Sequence, residues 1–206
     1  MEKKEKIARA LKEERNRLTK MMQERHLSLV LAESCTGGAL ANHITNDDMA
    51  GYLLLSIIAY DPWVKVSVLG LPQYIIDTYG LYSSQTAVGM ALAGLIKVPK
   101  AYICGASTGI IGRKDRNDPD KKRGEVYLAV AMKEGFTKYR IVVGKYFLEK
   151  KKGEKRSKIK KRAGVELFKL IQKVVLEPSF GSTIESDNLI PRLYKNMEVA
   201  LKPAKE

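Results

Sequence analysis

The chain of 206 residues is long enough to bury the core of one α/β domain with terminal extensions, and too short for two full domains. Its longest apolar run, Tyr52 to Tyr60, falls well short of the roughly 18 residues that a membrane helix needs, which excludes a membrane-spanning protein. The formal net charge of +14 predicts a phosphate-bearing partner or a strongly solvated surface.

The first predicted elements are a helix, a strand and a glycine-rich turn. Apolar residues recur on one helical face over residues 3–25, which predicts an amphipathic helix packed on a sheet. Leu27 to Glu33 is a short apolar run with β-branched character, as expected of a strand. Ser34-Cys35-Thr36-Gly37-Gly38 follows, and a helical pattern begins at Ala39.

The middle of the chain predicts two more strands and three helices. Leu53 to Tyr60 is nearly all apolar, as a strand buried on both faces would be. Residues 64–69 and 73–79 predict short helices, and a better helix runs from Ser84 through Ile96. Ala101 to Ser107 predicts the next strand.

The last third predicts a hairpin, a helix and an appendage. Glu125 to Met132 and Tyr139 to Leu148 alternate as antiparallel strands, and a basic stretch then continues into a helix that ends near Val175. This order of elements predicts a three-layer α/β/α sandwich with a mixed, about five-stranded sheet. Residues 1–176 form that single domain, and residues 177–206 are predicted to be a helical C-terminal appendage.

The two cysteines and the N-terminus bear on the cellular compartment. Cys35 and Cys104 are too few for a disulfide framework and are predicted to be reduced thiols. No apolar signal segment follows Met1, so we expect a cytoplasmic location.

Positive charge is concentrated in residues 145–162, where ten Lys and Arg stand against two Glu for a local net charge of +8. Three interpretations stay open for this stretch: a solvated surface, a phosphate site, or a nucleic-acid-binding surface. Only Tyr146 and Phe147 are interleaved with the basic residues as stacking aromatics, so nucleic acid is the least favoured of the three.

The turn after the first strand is the strongest candidate for a ligand site. Backbone N–H groups of a glycine-rich turn and the start of a helix favour an anion. Ser34 and Thr36 would lie at the carboxyl edge of the sheet, where open α/β folds bind ligands. The alternative is that these hydroxyls merely cap the helix.

The run Ala32-Glu33-Ser34-Cys35-Thr36-Gly37-Gly38 resembles a seven-residue pattern of the CinA C-terminal family, the nicotinamide-nucleotide amidohydrolases. Further similarities follow in the family's order: Ala59-Tyr60 with Lys65 five residues after the Tyr, Gly80 to Ser83, Thr108-Gly109-Ile110, Gly124-Glu125-Val126-Tyr127, and Arg156, Ile159 and Lys160. The resemblance spans about residues 27–175, and the chain is identified as a stand-alone member.

The resemblance implies hydrolysis of the amide of nicotinamide mononucleotide, or of a related phosphorylated amide, to the acid plus ammonia. Ser34 would be the nucleophile, Lys65 the general base if its amine is desolvated, and Tyr60 a relay or hydrogen-bond donor. No metal or organic cofactor is expected. Its partners would be a small phosphorylated ligand of the pyridine mononucleotide class and further copies of the chain in a homo-oligomer.

The same resemblance implies a set of ligand-binding residues around the turn. They are Cys35, Thr36, Gly37, Gly38, Ser83, Thr108, Gly109, Arg156 and Lys160. Several have structural alternatives: Ser83 is also placed to cap the helix that begins at Ser84, and Thr108 to bond turn backbone. Arg156 and Lys160 share a helix face that either reaches a phosphate or faces water.

Three positions depart from the family. Asp61-Pro62 stands where the family has Ser-Asn, residues 111–119 form a charged loop where the family has a Pro- and Gly-rich one, and Lys160 replaces Arg. These departures keep a second function open, that of a nucleotide- or phosphometabolite-binding protein without catalysis.

One other nucleophile arrangement is rejected on the sequence, and a second is disfavoured. Gly105-Ala106-Ser107-Thr108-Gly109 fits a nucleophile-elbow pattern, but both histidines, His26 and His43, lie far upstream of it. A pair of Cys35 and His43 is disfavoured because the histidine lies eight residues away along a helix.

Overall fold

The structure of the chain is a computed structural model that describes residues 2–112, 122–135, 138–148 and 154–185. Its helices are α1 (Glu2–Glu24), α2 (Ala39–Thr45), α3 (Gln73–Tyr79), α4 (Ser84–Lys97) and α5 (Arg156–Leu176), with a 3-10 turn at Ala50–Tyr52 and a π-helix at Val64–Leu69. None of these described helices combines the length and the apolar character needed to cross a membrane.

The described strands form one mixed sheet with the order β2-β1-β3-β4-β5-β6. They are β1 (Leu29–Glu33), β2 (Leu53–Ile58), β3 (Ile103–Gly109), β4 (Glu125–Glu134), β5 (Lys138–Phe147) and β6 (Ser182–Glu185). β1 pairs in parallel with both β2 and β3, whereas β3 to β6 pair antiparallel. The carboxyl ends of β1, β2 and β3 therefore lie at the same edge of the sheet.

Helices cover both faces of the sheet, as the predicted sandwich requires. Leu29 and Leu31 of β1 pack with the side chains of α1, α2 and α5, while Val30 and Ala32 pack with those of α3 and α4. This alternation gives each face its own apolar core. The three-layer α/β/α prediction and the predicted hairpin of β4 and β5 are confirmed.

The prediction that Leu53–Tyr60 is buried on both faces is wrong. β2 pairs only with β1 and forms an edge of the described sheet, so Leu54 is 36% and Ile58 is 53% exposed. Leu55 and Ile57 pack against the core on the α4 side. An apolar run predicts a strand, but its position in the sheet depends on pairing with distant residues.

The prediction for residues 177–206 also changes. Ser182–Glu185 is a sixth strand that pairs antiparallel with β5, where the sequence predicted a helical appendage and about five strands. Ser182, Thr183 and Ile184 are hydroxyl and β-branched residues, which suit an edge strand better than a helix. Residues 186–206 lie outside the described residues, as do residues 113–119 of the predicted charged loop.

Candidate active site

The turn over residues 34–38 presents Ser34 at the carboxyl edge of the sheet. The Ser34 N–H donates to the Ser107 carbonyl oxygen at 2.9 Å, and the Gly37 N–H donates to the Ser34 carbonyl oxygen at 3.1 Å. Gly37 (φ 58°) and Gly38 (φ 82°) both have left-handed backbone, which glycine adopts without strain. The close turn therefore depends on the two glycines that the sequence places there.

Glu33 anchors the turn from below, a role that the sequence analysis missed. Its two carboxylate oxygens accept the N–H groups of Ala41 at 2.8 Å and Leu40 at 3.2 Å, and the residue is 1% exposed. The start of α2 is thus capped by a carboxylate seven residues upstream. A buried acidic residue just before a glycine-rich turn was the available signal.

Replacing Glu33 by Gln should lower the free energy of unfolding by about 1–2 kcal/mol. The amide keeps one acceptor oxygen but turns an NH₂ group toward a backbone donor. Urea denaturation measures the loss, with Glu24→Gln at the exposed end of α1 as the matched control. Equal stability of the two variants would show that the Glu33 carboxylate does not hold α2.

Lys65 lies on the π-helix and reaches Ser34 through the interior. Its Nζ donates to Ser34 Oγ at 3.0 Å, to the Ala59 carbonyl oxygen at 2.7 Å and to the Tyr60 carbonyl oxygen at 3.1 Å. Lys65 is 1% exposed. The side chain of Asp61 accepts the Trp63 N–H at 2.8 Å, which starts the helix that carries Lys65.

Burial lowers the pKa of Lys65 to about 8, because the charged amine is removed from water, while negative charge on Cys35 or Asp61 acts in the opposite direction. About a tenth of the amine is therefore unprotonated at pH 7, and about half at pH 8. In that form its two N–H bonds serve the carbonyls of Ala59 and Tyr60, and its lone pair is left for the Ser34 hydroxyl proton. The geometry is that of a general base beside a nucleophile.

A cavity of about 350 Å³ opens over this pair. Its described lining residues are Ser34, Cys35, Tyr60, Asp61, Pro62, Lys65, Leu81, Tyr82 and Gly109. The volume suits a small ligand. In the described part of the chain, no group of three or more His, Cys, Asp or Glu is placed to hold a metal ion.

Tyr60 meets the pair through its backbone and not through its hydroxyl. Its carbonyl oxygen accepts from Lys65, whereas its hydroxyl accepts from Arg156 Nη2 at 3.0 Å and its side chain is largely solvent-exposed. Among the described contacts, none joins the Tyr60 hydroxyl to Ser34 or Lys65. The Tyr60 hydroxyl is therefore not in contact with the pair to which the predicted relay role assigns it. Tyr60 instead forms part of the cavity wall.

Three predicted ligand-binding hydroxyls are engaged within the protein. Thr36 Oγ1 and Ser107 Oγ lie 2.7 Å apart, Thr108 Oγ1 donates to the Leu81 carbonyl oxygen at 2.8 Å, and Ser83 Oγ accepts the Thr86 N–H at 3.1 Å. Ser83 therefore caps α4, which was the structural alternative for that residue. These three hydroxyls therefore stabilise the segments around the site, whereas Ser34 lines the cavity.

Two other predicted residues, Cys35 and Gly109, line the cavity directly. Burial raises the pKa of the Cys35 thiol to about 12, so this cysteine does not supply a thiolate near neutral pH. At Gly109 (φ 146°) a Cβ atom would lie 2.4 Å from the Glu125 carbonyl oxygen, so only glycine fits beside β4.

Arg156 and Lys160 bring positive charge to the site from the first turns of α5. Besides its bond to Tyr60, the Arg156 guanidinium lies against Gly112, and Lys160 Nζ lies 2.8 Å from where a Cβ on Gly37 would be. By contrast, Lys158 and Arg162 on the same helix pair with Glu154 at 3.6 and 3.0 Å. The basic helix thus has one face at the site and a second face whose cations share the single carboxylate of Glu154.

The rejected arrangements are not assembled in the structure. Ser107 is fully buried within β3 and bonds Thr36. His43 is half-buried and stacks against Phe168 of α5, with ring centroids 6.5 Å apart. Neither histidine is placed to activate a serine or cysteine at the cavity.

Comparisons with known proteins identify the family to which the chain belongs. The family described as the CinA C-terminal domain matches residues 11–175. A CinA-like protein of Geotalea uraniireducens is 40% identical over 116 residues, which cover 56% of this chain and 27% of the relative. A CinA-like protein of Flavobacterium psychrophilum is 33% identical over 162 residues, 78% of this chain and 36% of the relative. The chain thus spans about a quarter to a third of these relatives' length.

Solved structures show the same fold. The competence/damage inducible protein CihA from Agrobacterium tumefaciens superposes with a TM-score of 0.70 at 23% identity, covering 81% of this chain and 96% of that one. A CinA superfamily protein from Escherichia coli gives a TM-score of 0.70 at 19% identity, over 80% and 90% of the two chains. The family match over residues 11–175 establishes that the chain belongs to the CinA C-terminal domain family.

Proposed function

We propose that the chain is an amidohydrolase that hydrolyses the amide of nicotinamide mononucleotide, or a related phosphorylated amide, to the acid plus ammonia. The observation that carries this proposal is the buried contact of 3.0 Å between Lys65 Nζ and Ser34 Oγ at the floor of a cavity. A serine and an amine with a lowered pKa form a nucleophile and base that need no histidine.

The reaction would proceed in two halves. Neutral Lys65 takes the Ser34 proton as Oγ attacks the amide carbon, and the resulting ammonium then gives that proton to the departing NH₂ group, which leaves as ammonia. The ester on Ser34 is next attacked by a water molecule that loses its proton to Lys65. The ester bond breaks, Ser34 regains a proton from Lys65, and the carboxylic acid is released.

Backbone N–H groups of the turn would hold the negative oxygen of each tetrahedral intermediate. The N–H groups of Cys35 and Thr36 follow the nucleophile directly and donate to no backbone carbonyl in the described part of the chain. Fixed donors next to the reacting atom stabilise the charge that develops on the carbonyl oxygen. This role falls to backbone atoms because the Thr36 hydroxyl is already bonded to Ser107.

Arg156 and Lys160 would bind the phosphate of the substrate, since both cations lie at the turn side of α5. We expect Arg156→Gln and Lys160→Gln each to raise KM for nicotinamide mononucleotide about ten-fold, with little change in kcat. Nicotinamide riboside, which lacks the phosphate, should be affected far less. The exposed neighbour Lys161→Gln is the control, and equal losses with both substrates would remove these residues from phosphate binding.

Ammonia release from nicotinamide mononucleotide tests the proposed function. Release that depends on Ser34 would support the amidohydrolase. Absence of release, together with thermal stabilisation of the chain by the nucleotide, would favour the second function, a binding protein without catalysis. The altered pair Asp61-Pro62 is the observation that keeps this second function in view, because both residues line the cavity.

A further inference from the structure

Asp61 is the only carboxylate among the described residues that line the cavity. Asp61 occupies the position where the family pattern has an uncharged Ser, so this chain has a negative charge that the pattern lacks. One carboxylate oxygen accepts the Trp63 N–H at 2.8 Å, which fixes the side chain at the start of the π-helix. Among the described residues, no Lys or Arg forms an ion pair with Asp61.

The net charge of the cavity depends on the protonation state of Lys65, and catalysis requires the neutral amine. Lys65 is the only cation among the described lining residues. When its amine is neutral and ready to accept the Ser34 proton, Asp61 leaves the cavity with a net negative charge. Arg156 and Lys160 add positive charge beside it, at Tyr60 and Gly37.

This separation of charge matches a ligand with a cation near its amide and an anion further away. The pyridinium ring of nicotinamide mononucleotide is positively charged and carries the amide, whereas the phosphate is negative. A ring held over Ser34 would be near Asp61, since both residues line the same small cavity. A carboxylate attracts a cationic ring and gains nothing from a neutral one.

We propose that Asp61 is a specificity-determining residue that selects substrates with a cationic ring next to the scissile amide. This inference rests on the proposed function for the identity of the amide. The inference goes beyond the proposed function because it predicts a preference between two ligands that share the same amide, ribose and phosphate. One ligand has an oxidised, cationic ring and the other has a reduced, neutral ring.

The test compares oxidised and reduced nicotinamide mononucleotide on the unmodified chain and on Asp61→Asn. Asparagine keeps an oxygen for the Trp63 N–H and removes only the charge. We expect the unmodified chain to prefer the oxidised form, and Asp61→Asn to reduce that preference in kcat/KM about five-fold, a modest effect because Asp61 is exposed and solvent screens its charge. Asp48→Asn, an exposed carboxylate outside the cavity lining, removes the same charge and should leave the preference unchanged.

Binding separates failure of this inference from failure of the proposed function. Calorimetry with Ser34→Ala, alone and combined with Asp61→Asn, measures the same preference without turnover. A preference that falls with Asp61→Asn supports the inference even if the unmodified chain releases no ammonia. An unchanged preference, or equal weakening of both ligands with a lower melting temperature, would overturn it and leave Asp61 as a helix cap alone.

Discussion

Replacing Ser34 by alanine should lower kcat for ammonia release by at least about a thousand-fold. The substitution removes the oxygen that forms the covalent bond, and no second hydroxyl takes its place, because Thr36 and Thr108 are bonded within the protein. Ser34 is 4% exposed and so contributes little area to ligand contact, and nucleotide binding should therefore persist. Single-turnover ammonia release and calorimetry measure the two effects separately.

Two further measurements make the Ser34 prediction specific. Ser67→Ala removes an exposed hydroxyl from the π-helix that carries Lys65, and should leave kcat unchanged. Mass spectrometry of the acid-quenched reaction should find the acyl group on the peptide that contains Ser34. Ammonia release that survives in Ser34→Ala would mean that water attacks the amide directly and that Ser34 is not the nucleophile.

Lys65→Met is expected to lower kcat by about a hundred- to ten-thousand-fold. Methionine fills the space of the lysine stem but cannot accept the Ser34 proton. Lys65→Arg should not restore activity, because the guanidinium stays protonated at any working pH. Lys97→Met, at the exposed end of α4, is the control for loss of a lysine. Activity in Lys65→Arg would show that the residue acts through its charge and not as a base.

The lowered pKa of Lys65 also predicts how activity depends on pH. Since only the neutral amine accepts a proton, kcat/KM should rise with pH through about 8 and then level off. Stability follows the same group: between about 8 and the ordinary value of 10.5 the unfolded chain binds more protons than the folded chain. The free energy of unfolding should therefore rise with pH in that window, and Lys65→Met should lose this dependence.

Local patterns in the sequence predicted most of the elements but not their placement. The hairpin of β4 and β5 and the helices α4 and α5 follow from alternation, helical periodicity and capping, all of which act over neighbouring residues. The edge position of β2 and the strand at Ser182–Glu185 depend on which distant strands pair. A short polar strand at an edge resembles a loop in sequence, because it buries little.

The same division holds at the site. Ser34 and Lys65 were identified by resemblance, and the structure brings them into contact although 30 residues separate them in the chain. The resemblance does not indicate which hydroxyls are already satisfied, so Thr36, Ser83 and Thr108 were assigned to the ligand although each bonds a protein group. The cap formed by Glu33 was missed because the N–H groups that donate to its carboxylate lie in the next helix.

From the mixed pairing of the sheet we expect an order of folding steps. β3, β4 and β5 pair with their neighbours along the chain, so each contact closes a comparatively short loop. β1 must instead find β3 across the whole segment that contains β2 and α4, since Glu33 pairs with Ser107. The placement of Ser34 depends on this long-range pairing, because its N–H donates to the Ser107 carbonyl oxygen. A partly folded chain would thus contain a formed meander and no reactive pair, and so could not act on amides before its pocket exists to select them.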